Sequence, residues 1–261
     1  MAILRPLQRI IDFCLTVLLW AYFLFGYLFV LLFLFIPSYL RLKSGEATLQ
    51  KMNHVHLKCF FALVRFFAPR TKFAIAPDVR ALRSSIIVCN HVSYLDPILL
   101  ISQFPRHTTI VKNTFFRVPI FGWFLRQAGY VPSPSAEMFE PSMMTHLEVI
   151  RRHLAEGGNL FMFPEGKRSH GGKLLPFNKG VFSIARYCDT GVKLVFIRDT
   201  DKLFRPGTFS FQTHENNTIA LELIASLTPD YPSGEFSISA AADQARLAFE
   251  RKIAEIEENK V

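Results

Sequence analysis

Ser84-Ser85-Ile86-Ile87-Val88-Cys89-Asn90-His91-Val92-Ser93-Tyr94-Leu95-Asp96 is the stretch from which the rest of the chain is read. Ile86 to Cys89 form an unbroken apolar run of strand length, the pattern of a strand covered on both faces. The run stops at Asn90-His91, where such a strand leaves its sheet. Asp96-Pro97 then carries a helix-start signature, with Asp at the N-cap and Pro at the first helical position. The chain is expected to leave a strand, present an imidazole, turn, and bring a carboxylate back. A carboxylate that accepts from one ring nitrogen fixes the tautomer and raises the basicity of the other, which makes a general base. The plainer alternative is that Asp96 only caps the helix.

Outward from this stretch the pattern alternates. Phe73 to Ile75 reads as a strand and Pro77-Asp78 as a turn. Pro97 to Phe104 reads as a helix ended by Pro105, and Thr108 to Lys112 is β-branched and strand-like. Ser142 to Glu156 is a helix that Ser142 can cap and Gly157-Gly158 close. Leu160 to Phe163 is a short buried strand, Lys179 to Asp189 a helix, and Leu194 to Ile197 another strand. Thr208 to His214 and Thr218 to Ile224 flank Glu215-Asn216-Asn217 as in a hairpin. Ala240 to Glu258 closes the chain as an amphipathic helix. Strands alternating with helices predict an α/β fold, a mixed and mostly parallel sheet flanked by helices.

The N-terminal part differs in kind. Leu15 to Ile36 is 22 residues without a charge. As a helix it measures about 33 Å, enough to cross a bilayer. It is too long for the apolar region of a signal peptide, and no small-residue cleavage site follows. Arg5 and Arg9 precede it while Arg41, Lys43 and Lys51 follow, so charge asymmetry gives no orientation. A span, a helix lying in one leaflet and a broken hairpin all fit. Leu49 to Phe67 is amphipathic, with Val55, Cys59, Ala62 and Phe66 at helical spacing. It suits either a membrane surface or the core. Residues 1–70 are therefore expected to form a membrane-embedded helical segment and residues 71–261 a catalytic domain.

Half of the residues are hydrophobic, with 27 Phe, and the formal net charge is +9. A basic chain admits nucleic acid, an anionic membrane or anionic substrates as partners. The Phe residues cluster in apolar runs, which favours lipid over nucleic acid. Cys14, Cys59, Cys89 and Cys188 are scattered and read as reduced core residues. No metal-binding spacing occurs among the histidines, and Ser93 lies outside any Gly-x-Ser-x-Gly elbow.

Two further blocks carry chemistry. Lys112-Asn113-Thr114-Phe115-Phe116-Arg117-Val118-Pro119-Ile120-Phe121-Gly122 places a cation at a strand end before an aromatic loop. Phe163-Pro164-Glu165-Gly166-Lys167-Arg168-Ser169 places a tight turn at another strand end. Gly166 permits close approach of the backbone to a ligand. Arg168 offers a planar fork for two phosphate oxygens. Glu165 can hold acceptor hydroxyls or lock Arg168.

Together with Asn90-His91-x-Ser93-x-x-Asp96, these blocks resemble the motifs of the glycerolipid acyltransferases, the family that includes 1-acylglycerol-3-phosphate acyltransferase. Leu175-Pro176-Phe177-Asn178-Lys179-Gly180 continues the resemblance, which covers roughly residues 86–197. It implies that His91, oriented by Asp96, deprotonates the hydroxyl of a lysolipid as that hydroxyl attacks an acyl thioester. It also implies that Lys112, Glu165, Gly166 and Arg168, with Ser93, bind the acceptor, Lys112 and Arg168 gripping its phosphate. Amides near Gly166 are candidates for oxyanion donors. The donor is expected to be acyl-CoA or an acyl-carrier protein, with no cofactor, no metal and no nucleic acid. The catalytic domain is expected at the cytoplasmic face of a membrane. The chain departs from the family where a proline usually interrupts the fourth motif, here Val192 to Arg198. It departs again after Gly129, where Val131-Pro132-Ser133 stands in place of an arginine. Both departures leave room for another lysolipid, an aminolipid or a glycolipid as acceptor. A non-catalytic lipid-binding protein of the same fold and a basic nucleic-acid-binding protein are the remaining alternatives.

Overall fold

The computed structural model describes residues 4–29, 32, 45–133, 140–169, 173–231 and 236–259. Its helices are α1 (Leu4–Ala21), α2 (Glu46–Phe67), α3 (Pro77–Ala81), α4 (Leu95–Ile101), α5 (Asn113–Phe116), α6 (Phe121–Gln127), α7 (Glu140–Ala155), α8 (Gly180–Tyr187), α9 (Thr200–Leu203) and α10 (Ile238–Glu258). Its strands are β1 (Thr71–Ile75), β2 (Ile86–Cys89), β3 (His107–Val111), β4 (Val131–Pro132), β5 (Asn159–Met162), β6 (Val192–Arg198) and β7 (Asn217–Leu227). They form one seven-stranded sheet in the order β1-β7-β6-β2-β5-β3-β4. The chain divides into two compact units, one of residues 1–75, 92–105 and 197–220 and the other of residues 76–91, 106–196 and 221–261.

The second unit is built on parallel strands. β2 pairs with β5 on one side and β6 on the other, β5 pairs with β3, and β3 with β4, all in parallel. Parallel strands are covered on both faces, which is why Ile86, Ile87, Val88 and Cys89 are all fully buried. Phe182 of α8 and Ala245 and Phe249 of α10 lie in the same core as Val88, Leu160 and Leu194. Phe249 meets the rings of Phe177 and Phe196 edge-on or tilted. Ser237 caps α10 by accepting from the Ala240 amide, three positions before the expected start.

The first unit gathers aromatic side chains around α1 and α2. Trp20 lies edge-on to Phe204, which in turn contacts Phe211. Tyr22 stacks on His56 at 5.0 Å. α1 starts at Leu4, well before the expected uncharged run. Among the described residues, Leu7–Gly26 is the one stretch long and apolar enough to cross a membrane, with a mean hydropathy of 1.7. The expected run past Phe29 lies outside the described residues, Leu32 excepted. One side of α1 is tied to its own unit. Asp12 accepts from the Thr213 amide at 3.0 Å and hydroxyl at 2.5 Å, and His214 Nδ1 lies 2.6 Å away. The Thr16 hydroxyl accepts from the Phe211 amide. The other side exposes Leu7, Ile10, Phe13, Val17 and Leu18.

Several expectations are corrected. Pro77-Asp78 opens a short helix, not a turn. Residues 208–214 form turns and bends and no strand, so β7 has no hairpin partner there. In α2 the buried face is Leu49, Asn53, His56, Leu57, Phe60, Phe61 and Val64. The expected stripe of Val55, Cys59, Ala62 and Phe66 is the exposed face. The buried face carries Gln50, Asn53 and His56 among its leucines and phenylalanines, so apolar periodicity does not mark it. Only Cys89 of the four cysteines is buried; Cys14 and Cys59 are exposed, and none of the four is in a disulfide.

Candidate active site

Three of the parallel strands deliver the motif residues. β2 ends at Cys89 before His91, β5 ends at Met162 before the turn 163–169, and β3 ends at Val111 before Lys112. β2, β5 and β3 are consecutive in the sheet and parallel. Their carboxyl ends therefore open on one edge at the roughly 4.8 Å spacing of neighbouring strands. In open parallel sheets that edge is where ligands bind.

The turn 163–169 holds His91 by its main chain. The His91 amide donates to Glu165 Oε1 at 2.9 Å. The His91 carbonyl accepts from the Ser169 amide at 2.7 Å and from the Ser169 hydroxyl at 3.2 Å. The His91 ring stacks on Phe163 with centroids 4.3 Å apart. The second oxygen of Glu165 accepts from the Leu175 amide at 2.9 Å. The Asn178 amide donates to the Pro164 carbonyl at 2.7 Å, which folds the 175–180 segment back on the turn. Glu165 is buried, so its carboxylate acts as a strut between two backbone amides. Such charge-assisted bonds are about twice as strong as neutral ones.

Gly166 has φ +66 and open space around its Cα, so its backbone conformation explains the residue. Its amide donates to the Phe163 carbonyl within the turn, which removes it as an oxyanion donor. Arg168 is half-buried and directly precedes Ser169, whose amide donates to the His91 carbonyl. Lys112 is exposed and is the residue before α5.

In the other unit, Asp96 is fully buried. Its Oδ2 accepts from the Val92 and Ser93 amides at 2.7 and 2.8 Å, and its Oδ1 from the Thr200 hydroxyl at 2.5 Å. Asp96 is the second residue of α4, with Tyr94 at the N-cap, so the expected capping position is corrected by two residues and the carboxylate reaches back to the loop. Asp201 is half-buried, and burial first, then the charges of Asp199 and Asp96, push its carboxyl above the ordinary range. Ser93 is also fully buried, its hydroxyl donating to the Phe204 carbonyl at 3.2 Å and accepting from the Leu95 amide. The substrate contact expected of Ser93 is replaced by a role in holding the loop, because the hydroxyl is turned into the fold. Thr200 was invisible in the sequence. It lies 104 residues from its partner and belongs to no motif. His107, buried and 2.8 Å from the Tyr130 hydroxyl, is a core residue at the start of β3.

The model of the Acyltransferase family matches residues 70–197. A chloroplastic 1-acyl-sn-glycerol-3-phosphate acyltransferase of Brassica napus is 33% identical over 129 residues, which is 49% of this chain and 37% of that protein. The 1-acyl-sn-glycerol-3-phosphate acyltransferase of Helicobacter pylori is 28% identical over 152 residues, 58% of this chain and 62% of that one. The chain thus spans little more than a third of the Brassica relative. The crystal structure of the 1-acyl-sn-glycerophosphate acyltransferase of Thermotoga maritima matches with a TM-score of 0.69 over 96% of this chain and 98% of that one. At 21% identity that likeness is one of fold. All three motif blocks fall inside the residues that match the Acyltransferase model, on the strand ends of a fold shared with the Thermotoga protein, and over that stretch the chain is similar to 1-acyl-sn-glycerol-3-phosphate acyltransferases.

Proposed function

We propose that this chain transfers an acyl group from an acyl thioester to the free hydroxyl of a lysophospholipid, 1-acylglycerol-3-phosphate in the first instance, forming phosphatidic acid. The observation that carries this reading is the His91 peptide held on both sides by the turn 163–169. It joins the first and third motif blocks into one constellation. His91, partnered by Asp96, accepts the proton of the acceptor hydroxyl as its oxygen attacks the thioester carbonyl. The tetrahedral intermediate then collapses, the carbon–sulfur bond breaks, and the imidazolium returns its proton to the leaving thiolate. Lys112 and Arg168 bind the phosphate and set the hydroxyl at attack distance, the step that converts binding into rate. Glu165 acts on the chemistry through the main chain of His91. The donor is the thioester of coenzyme A or of a carrier protein.

The reading places the protein at a membrane, where acceptor and product reside, with the catalytic unit on the cytoplasmic side. What supports attachment is α1, apolar on its outer side and bonded to its own unit through Asp12 and Thr16. That division suits a helix lying in the interface better than one crossing it. A second acceptor class is favoured by one observation. Val131-Pro132, which stands where the family commonly has an arginine, is strand β4 at the sheet edge and brings no cation there.

The test is acyl transfer by the detergent-purified chain, with a panel of lysolipids offered against acyl-CoA and acyl-carrier protein and products read by mass spectrometry. His91→Ala is expected to lower the rate about 10²–10⁴-fold, the usual worth of a general base. Asp96→Ala in that background is expected to add little, since the two act as a unit. Full activity in the His91 variant would remove the mechanism. Transfer to a neutral lysolipid but not to the phosphorylated one would reassign the acceptor.

A further inference from the structure

The segment that follows Lys112 is braced from within. The amide of Phe121 donates to the Pro119 carbonyl at 2.6 Å across Ile120, which sits at φ 64 and ψ −56. That is a classic γ-turn, a strained form for any residue and worst for a β-branched one. Gly122 lies under the preceding helix, where an added Cβ would come within 2.1 Å of the Phe116 carbonyl oxygen. Arg126 donates to the same oxygen at 2.8 Å. Yet the side chains this framework displays are apolar and in solvent: Phe115 is 48% exposed, Val118 45%, Ile120 55% and Phe121 36%. A backbone strained to hold an isoleucine at an exposed apex is not explained by folding, and such strain collects at functional surfaces.

The charge around the patch selects the occupant. Lys112, Arg117 and Arg126 are all exposed, and the sequence carries no Asp or Glu between Asp96 and Glu137. A second copy of the chain would bring like charges face to face. An anionic bilayer matches on both counts, accepting the aromatic and aliphatic apex into its acyl region and the cations at its headgroups. We propose that residues 113–121 are a membrane-insertion wedge specific for anionic lipid surfaces, a contact made by the sheet-bearing unit in its own right and separate from the apolar side of α1. The proposal stands whether or not the chain transfers acyl groups.

The test uses the full chain and its two tryptophans. Trp20→Phe keeps an aromatic ring beside Phe204 and leaves Trp123, on α6, as the only tryptophan, excited selectively at the red edge of the indole band. With phosphatidylcholine vesicles containing phosphatidylglycerol and brominated acyl chains, Trp123 fluorescence is expected to be quenched. Ile120→Asn removes the apolar apex while easing the strained φ. It is expected to weaken vesicle binding about tenfold, the order of withdrawing one large aliphatic side chain from lipid, with an unchanged or higher thermal midpoint. Val118→Asp is expected to weaken it further. Vesicle binding by the parent chain without quenching of Trp123 would overturn the proposal. So would binding by both variants equal to the parent's. Self-association of the lipid-free chain that Val118→Asp abolishes would reassign the patch to a protein interface.

Discussion

Residues 163–169 and residues 112–122 leave neighbouring parallel strands of the same unit, and they use their polar groups in opposite ways. In the first, a buried carboxylate, a hydroxyl and one amide are directed at the main chain of His91 and at the Leu175 amide. In the second, the hydrogen bonds close on the segment itself, through Phe121 to Pro119 and Arg126 to Phe116, and the apolar side chains are left outside. One loop fixes a neighbour; the other fixes its own shape. A position for a reacting group needs support from a second segment, whereas a surface needs only to be held rigid.

The contrast is tested most severely at Glu165. Glu165→Ala leaves the half-buried His91 and Leu175 amides without their acceptor, and a loss of about 2 kcal/mol in urea unfolding is expected. Acyl transfer should fall even where the fold survives at low temperature. Glu165→Gln keeps one acceptor oxygen and should recover part of both losses. Unaltered stability in Glu165→Ala would show that the strut is not what holds His91. Gly122→Ala is the matching test of the other loop. The contact with backbone oxygen cannot be relieved by a side-chain rotation, so a loss of about 2 kcal/mol is expected, with weakened vesicle binding. Arg168→Lys comes next, with about a tenfold rise in KM for a phosphorylated acceptor and a smaller change in kcat, since an ammonium cannot engage two phosphate oxygens in one plane. No change in KM would point to an acceptor without phosphate.

Smaller effects separate main-chain from side-chain support. Ser169→Ala removes the 3.2 Å hydroxyl bond to His91 and keeps the 2.7 Å amide bond, so no more than about 1 kcal/mol should be lost. The weakest expected effect is in the aromatic unit. Burial lowers the pKa of His56 below its ordinary 6.5, the Phe23 carbonyl opposing in part. A depressed folded-state pKa contributes stability that is full above 6.5 and is lost as the pH falls below it. Thermal midpoints measured from pH 7.5 down to 5.5 should therefore decline, and His56→Gln should flatten that decline. A midpoint that rises on acidification would contradict the assignment.

Short apolar runs and special turns were legible because they depend on neighbours in sequence. Ile86 to Cys89 could be placed as a doubly covered strand, and Gly166 as a turn residue, from a few positions each. In α2 the sequence left the apolar stripe of Val55, Cys59, Ala62 and Phe66 to either a membrane surface or the core; the structure puts it outside, because the buried side mixes Gln50, Asn53 and His56 with leucine and phenylalanine. Polar residues can occupy a core face when tertiary partners exist, and periodicity carries no information about partners.

The sequence by itself determined the motif-bearing strands β2, β3 and β5, the helices α7, α8 and α10, the three motif blocks and the excess of basic and aromatic side chains, because these are written in local patterns of size, polarity and charge. Only the tertiary structure decided that Glu165 supports the His91 peptide, that Thr200 holds Asp96, and that Ser93 faces inward. Those pairings join residues far apart in the chain. They are fixed by the register of parallel strands and by the need of buried amides, hydroxyls and carboxylates to find partners once water is excluded.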